Sequence, residues 1–340
     1  MNRIKLAVGL VVGSVMCVGG TLAVGPATAG AAGPYTAYVG NDQCPTNDSV
    51  TSITGPSSWT VGSTIGVGNC PAGIAFSPDG STAYMANASD NTITPINTST
   101  FTAGTAFSSG VTSPLFMAVT PNGASLVVGG PGSNQVAVIS TANTASVQTV
   151  SVGTNPEGLS ILPDSSAAYI DNGSDNTVDV VSLTGTPTVT KTISFPSPGC
   201  TGPEGNAVTT NGKWVWVACD GNGMLWGIKV SKEKAKIAIK VGKGDHQVVV
   251  TPNGLTAYVS SPNNNKVFPV NLTTHVVGNG IAVNNAWGLA MSPDGSYVMA
   301  GDGTCCFATT DVYVIKTSNN TISATLNTGG FTHRWLAFQP

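Results

Sequence analysis

The feature that most restricts this chain is a phrase that returns at near-constant spacing. Residues 71–80 read P-A-G-I-A-F-S-P-D-G. The phrase returns as P-L-F-M-A-V-T-P-N-G from Pro114, P-E-G-L-S-I-L-P-D-S from Pro156 and P-E-G-N-A-V-T-T-N-G from Pro203. Two further copies start at Asp245 and Ala286, so successive starts lie 43, 42, 47, 42 and 41 residues apart. Each phrase is followed by a second apolar run such as residues 83–86, a third such as 92–96, and a fourth before the next leader. Clusters of the P-D-G, N-A-S-D-N and T-S-T kind separate the runs, and these are turn-forming residues. Each unit therefore reads as four short antiparallel strands. One such sheet cannot bury both of its apolar faces, so the units must stack around an axis until the ring closes.

The two ends set the number of units. Residues 333–340, H-R-W-L-A-F-Q-P, align with 71–78 and supply only an inner strand. Residues 37–41 match 83–87, and 49–67 hold two further runs before Cys70. The expectation is an all-β, seven-bladed β-propeller with four antiparallel strands per blade. Its units start near 71, 114, 156, 203, 245 and 286, and the last blade joins 35–70 to 333–340. Such pairing removes an open sheet edge. The whole of 30–340 is then one domain.

Residues 1–29 carry Arg3 and Lys5, a glycine-interrupted apolar stretch and A-T-A at 27–29. That layout reads as a secretory signal peptide, which leaves a secreted or envelope-associated protein with no transmembrane segment after processing. Beyond it, 16 Asp and Glu outnumber the Lys and Arg, which argues against a nucleic-acid-binding surface. Six cysteines remain, Cys44, Cys70, Cys200, Cys219, Cys305 and Cys306. An even number in an exported chain reads as disulfides. No C-x-x-C pair or Cys/His cluster at zinc spacing occurs, so neither a metal nor another cofactor is expected from chain spacing.

These phrases, with A-Y-V and N-T-V runs in register, resemble the YVTN-repeat β-propellers, the family that includes YncE-like exported proteins. The resemblance spans nearly all of the chain after residue 29. It implies the propeller fold strongly and a function weakly: its members include surface-layer and binding proteins, and related seven-bladed propellers include lactonases and streptogramin lyases. The chain departs from the pattern at Thr210, Asp245 and Ala286, where Pro is expected.

In propellers of this kind the inner strand starts at the top face, so the residue after each leader lies around the channel mouth. That ring is Ala72, Leu115, Glu157, Glu204, His246, Trp287 and Arg334, flanked by Phe116, Asp245, His333 and Trp335. Glu157, Glu204, His246, Trp287, His333, Arg334 and Trp335 are the expected ligand-binding residues, for a small molecule or a cell-envelope component. No catalytic residue is assigned. The alternative is a metal-assisted hydrolase or lyase at the same mouth, using Glu157, Glu204 or Asp245 with His246 or His333. G-x-S-x-G, H-E-x-x-H and calcium-loop spacings are absent from the sequence. Asp171, Asp175 and Asp179 read as turn residues rather than calcium ligands.

The same alignment sends all six cysteines to the top face, with Cys200–Cys219 and Cys44–Cys70 as expected pairs. Cys305 and Cys306 then form a vicinal bridge or supply a partner for Cys44. Lys229, Lys232, Lys234, Lys236, Lys240 and Lys243 fall on the outer part of one unit. They read as protection of an exposed strand edge, with attraction to an anionic envelope polymer as the alternative. Trp214, Trp216 and Trp226 read as packing between blades.

Overall fold

The computed structural model describes residues 35–41, 48–303, 311–329 and 335–340. The expected signal peptide, Cys44, Cys305, Cys306, His333 and Arg334 lie outside the described residues. Seven antiparallel sheets follow one another along the chain. Blade three has the order Pro156–Ile161, Ala167–Asn172, Thr177–Ser182, Thr188–Ser194 from axis to rim. Blade four runs Pro203–Val208, Trp214–Cys219, Met224–Lys229, Lys234–Lys240. Blade seven is shared by both ends of the domain: Leu336–Phe338 pairs with Tyr35–Asn41, in the register Ala37↔Phe338, Tyr38↔Ala337, Val39↔Leu336. The fold is a closed seven-bladed β-propeller.

Closure has a second fastening. The Gln339 backbone N–H donates to the Thr36 carbonyl at 2.8 Å, and its side-chain amide donates to the Gly80 carbonyl of blade one at 2.8 Å.

The second strand of blade four shows how two apolar faces produce an unbroken apolar run. Val215, Val217 and Cys219 pack with Tyr169, Val178 and Ile193 of blade three. Trp216 and Ala218 point the other way, into a cluster with Val248 and Val259 of blade five. Successive strand residues face opposite sides, so a sheet covered on both sides is apolar at every position.

Two blades have an interrupted outer strand, and the cause is a proline in the third. Blade one ends in two short strands, Thr102–Ala103 and Phe107–Ser108, and blade five in Val276–Val277 and Ile281–Ala282. The breaks fall opposite Pro95 and Pro269, whose carbonyls accept from Gly104 and Gly278 at 2.7 and 2.8 Å. Neither proline has an N–H to return, so the ladder cannot continue past it.

An asparagine just before the third strand of the blade fastens neighbouring blades. Asn91, Asn134, Asn176 and Asn265 all have left-handed backbones, with φ of 55°, 51°, 57° and 52°. Asn tolerates that conformation better than other side chains. Their side-chain oxygens accept the backbone N–H of Ser113, Asn155, Gly202 and Asn285, each at the entry to the next blade. Replacing Asn176 with Ala removes one such bond and leaves the left-handed backbone to a side chain that tolerates it less well than Asn. Urea unfolding should show a loss of about 1–2 kcal/mol, and Asn176→Gly a smaller one.

Lys229, Lys232, Lys234, Lys236, Lys240 and Lys243 are all exposed, and Lys234, Lys236 and Lys240 sit on the outermost strand of blade four. That placement suits a guarded edge. Among the described residues, no helix is long and apolar enough to cross a membrane.

Candidate functional site

The glycine of each P-x-G leader brings the mouth residues together. A Cβ on Gly158 would lie 2.8 Å from the Glu204 carbonyl oxygen, one on Gly205 2.6 Å from that of His246, and one on Gly73 2.6 Å from that of Leu115. Only glycine lets neighbouring inner strands approach this closely. The residue before each glycine therefore stands beside its counterpart on the next blade, which sets Glu157, Glu204 and His246 in sequence around the ring.

Around His246 the contacts are specific. Its Nδ1 lies against a Glu204 carboxylate oxygen, its Nε2 lies 3.4 Å from Asp220 Oδ1, and its ring stacks on Trp287 with centroids 3.9 Å apart at 30°. Glu204 and His246 are buried, whereas the Asp220 side chain is about one-third exposed. The ligating atoms of Glu204, Asp220 and His246 all lie within 4.8 Å of one another. Two carboxylates and an imidazole at that separation can hold a divalent cation.

Behind this group lie two more acids. Glu157 accepts a hydrogen bond from the Asn155 side chain. Burial pushes its pKa up to about 8, and the nearby Glu204 adds to the shift. Asp171 is fully buried, and no donor reaches either carboxylate oxygen at hydrogen-bonding geometry. Burial pushes it up to about 8 as well; the neighbouring Asn206 side chain opposes the shift, and Glu157 and Glu204 reinforce it. Asp245 rises to about 6 by burial, held back by Ser261, the Gly242 N–H, Lys240 and His246. Removing a carboxylate from water disfavours its charged form.

Of the expected ligand residues, Glu157, Glu204, His246 and Trp287 form one polar arc. Trp335 does not join it: it is buried in the apolar cluster that contains Ala72, Leu115 and Phe116. His333 and Arg334 lie outside the described residues. Asp175 and Asp179 are occupied at the entry to blade three. Asp175 accepts the Thr154 N–H, and Asp179 the Gly153 N–H and the Thr192 hydroxyl.

Asp220 and Asp171 belong to this site and were not among the expected ligand residues. Their signal is an acid where other units have small or rigid residues. Asp220 aligns with Ala88, Gly173 and Gly303, and Asp171 with Ala86, Gly129 and Ala218. The lack of zinc spacing along the chain does not bear on Glu204, Asp220 and His246, because they come from two blades.

A disulfide braces the segment carrying Glu204 and Asp220. Cys200 and Cys219 are bonded, with Cα atoms 5.4 Å apart, and the Asp220 N–H donates to the Gly202 carbonyl at 2.9 Å. Trp226 Nε1 donates to the Gly199 carbonyl at 2.8 Å, holding the same loop. Cys70 is also disulfide-bonded; the expected partner Cys44 lies outside the described residues. Changing Cys200 and Cys219 together to Ser should lower stability by about 2–3 kcal/mol, read as a urea midpoint shift at unchanged slope.

No family model and no curated protein matches this chain. Solved structures do. One chain of a Kuenenia stuttgartiensis hydrazine synthase matches with TM-score 0.70 at 22% identity, over 79% of this chain and 90% of that one. A functionally unknown protein of Desulfotomaculum acetoxidans gives 0.75 at 16%, over 89% and 98%. A candidate 6-phosphogluconolactonase of Bacteroides uniformis gives 0.73 at 12%, over 90% and 99%. At these identities the likeness establishes the propeller fold alone.

Proposed function

We propose that this protein is a secreted binding module of the YVTN-repeat type that recognises a small polar ligand at its channel mouth. The observation that carries the reading is the convergence of Glu157, Glu204, Asp220, His246 and Trp287 from adjacent blades. Apolar packing between blades is enough to close a propeller, and buried acids weaken it. Ionisable groups that oppose the fold at one locus mark a site kept for another reason. With pKa values of about 8, Glu157 and Asp171 hold protons near neutrality and so both donate and accept hydrogen bonds. That chemistry suits a ligand rich in hydroxyl groups, such as a sugar or a sugar lactone. The signal-like segment 1–29 and the Cys200–Cys219 bond support export.

A thermal-shift panel of neutral sugars, aldonolactones and amino sugars on the full chain tests the reading. One class should raise the transition by several degrees, and Trp287→Ala and Glu157→Gln should abolish the rise. No rise across the panel, or the same rise in both variants, overturns it.

A second reading, a hydrolase or lyase acting on a lactone or ester at the same mouth, is favoured by the likeness to candidate 6-phosphogluconolactonases. A protonated Glu157 near pH 7 would suit general-acid work. Lactone consumption that Glu157→Gln abolishes while binding persists separates this reading from the first.

A further inference from the structure

We propose that Glu204, Asp220 and His246 form a binding site for one divalent first-row transition-metal ion, of the Zn2+ or Mn2+ kind. The three donors reach one point from three separate segments: the inner strand of blade four, the loop after its second strand, and the entry to blade five. Each segment is held independently. Cys200–Cys219 and the Asp220–Gly202 hydrogen bond fix the first two, and the close approach at Gly205 fixes the third against them.

The second observation comes from Asp171. Its carboxyl group is wholly buried, no donor meets hydrogen-bond geometry at either oxygen although the Asn206 side chain lies near, and Glu157 and Glu204 act on it electrostatically. A Cβ on Gly158 would touch both that carboxylate and the Glu204 carbonyl oxygen. Acids crowded into one buried region, here Glu157, Asp171 and Glu204, are what a bound cation compensates.

The donor set narrows the ion. Two carboxylates balance a double positive charge, and an imidazole ligand favours transition ions over Mg2+ and Ca2+, which prefer all-oxygen shells. Three protein ligands leave coordination positions open, as in sites where an exogenous group completes the shell. Trp287, stacked on His246, orients the imidazole. This inference deepens the mouth-binding reading, since an open position on the ion is where a polar ligand would dock.

The test uses the purified full chain, stripped with EDTA and dialysed, and titrated calorimetrically with ZnCl2, MnCl2, MgCl2 and CaCl2. One equivalent of Zn2+ or Mn2+ should bind, with Mg2+ and Ca2+ at least ~100-fold weaker. His246→Gln and Asp220→Asn should each weaken binding by ~10-fold or more. Asp220 is partly exposed, so Asp220→Asn is expected to keep the fold, and an unchanged metal-free melting temperature confirms that it has. No uptake by the folded protein, a preference for Mg2+ or Ca2+, or uptake that Asp220→Asn leaves unchanged overturns the proposal. Ligand binding that persists in EDTA without metal uptake sinks the metal site alone. Metal uptake with no response to the ligand panel sinks the small-ligand reading alone.

Discussion

Deleting residues 335–340 is expected to abolish the cooperative thermal transition, or to lower it by more than about 15 °C, and to make the protein aggregate. The segment supplies the inner strand of blade seven, and Trp335, Leu336, Ala337 and Phe338 are all at most 5% exposed. Burying a Trp, a Leu and a Phe stabilises by roughly 1.5–3 kcal/mol each, a sum comparable with the whole stability of a typical domain. Deletion also leaves Ala37 to Val39 with an unpaired edge at the heart of the ring, a template for association with another chain. A truncated protein that melts within a few degrees of the parent would show that the velcro-like closure of blade seven is dispensable.

The second large effect is at Trp216. The side chain is 2% exposed, stacks on Trp214 with centroids 6.0 Å apart, and fills the seam between blades four and five. It fits because residue 227 is glycine, where a Cβ would already lie 3.0 Å from the indole. Trp216→Ala opens a cavity that neither sheet can close and should cost about 3–5 kcal/mol in urea unfolding. The indole Nε1 is buried without a hydrogen-bond partner. Trp216→Phe therefore loses ring volume but no hydrogen bond, and should cost clearly less, about 1–2 kcal/mol. Equal losses for Phe and Ala would mean that the indole nitrogen has a partner after all.

The repeat made the fold readable because each unit obeys the same constraints. P-x-G places glycine where inner strands touch, the P-D-G turn supplies Gly80 with φ of 69°, and an asparagine just before the third strand supplies the left-handed residue that fastens the next blade. The match of 333–340 to an inner strand then fixed the closure. The split outer strands of blades one and five were less evident, since Pro95 and Pro269 break a neighbour's ladder rather than their own strand.

The site was readable only where it lies on the repeated register. Glu157, Glu204, His246 and Trp287 occupy the position after the leader, so alignment alone gathers them. Trp335 occupies the flanking position and turned out to pack with apolar neighbours, because register gives a residue's place along the strand and not the side its ring takes. Asp220 and Asp171 approach from second strands, and only comparison with the small residues at equivalent positions marks them. Proton affinity was beyond the sequence entirely, since it depends on how much water each carboxylate loses.

The mouth acids are held at a cost to the stability of the fold, and Glu157 gives the sign directly. Its pKa is about 8 in the folded chain, against 4.5 as the ordinary value. Between those limits the unfolded chain has released the proton and the folded chain keeps it, so stability is fullest below pH 4.5 and falls as pH rises toward 8. Urea unfolding of the parent and Glu157→Gln, in EDTA at pH 5 and pH 8, measures this. Near-equal stability is predicted at pH 5 and an advantage of about 1–3 kcal/mol for the Gln variant at pH 8; a parent that matches or exceeds the variant at pH 8 would contradict the account.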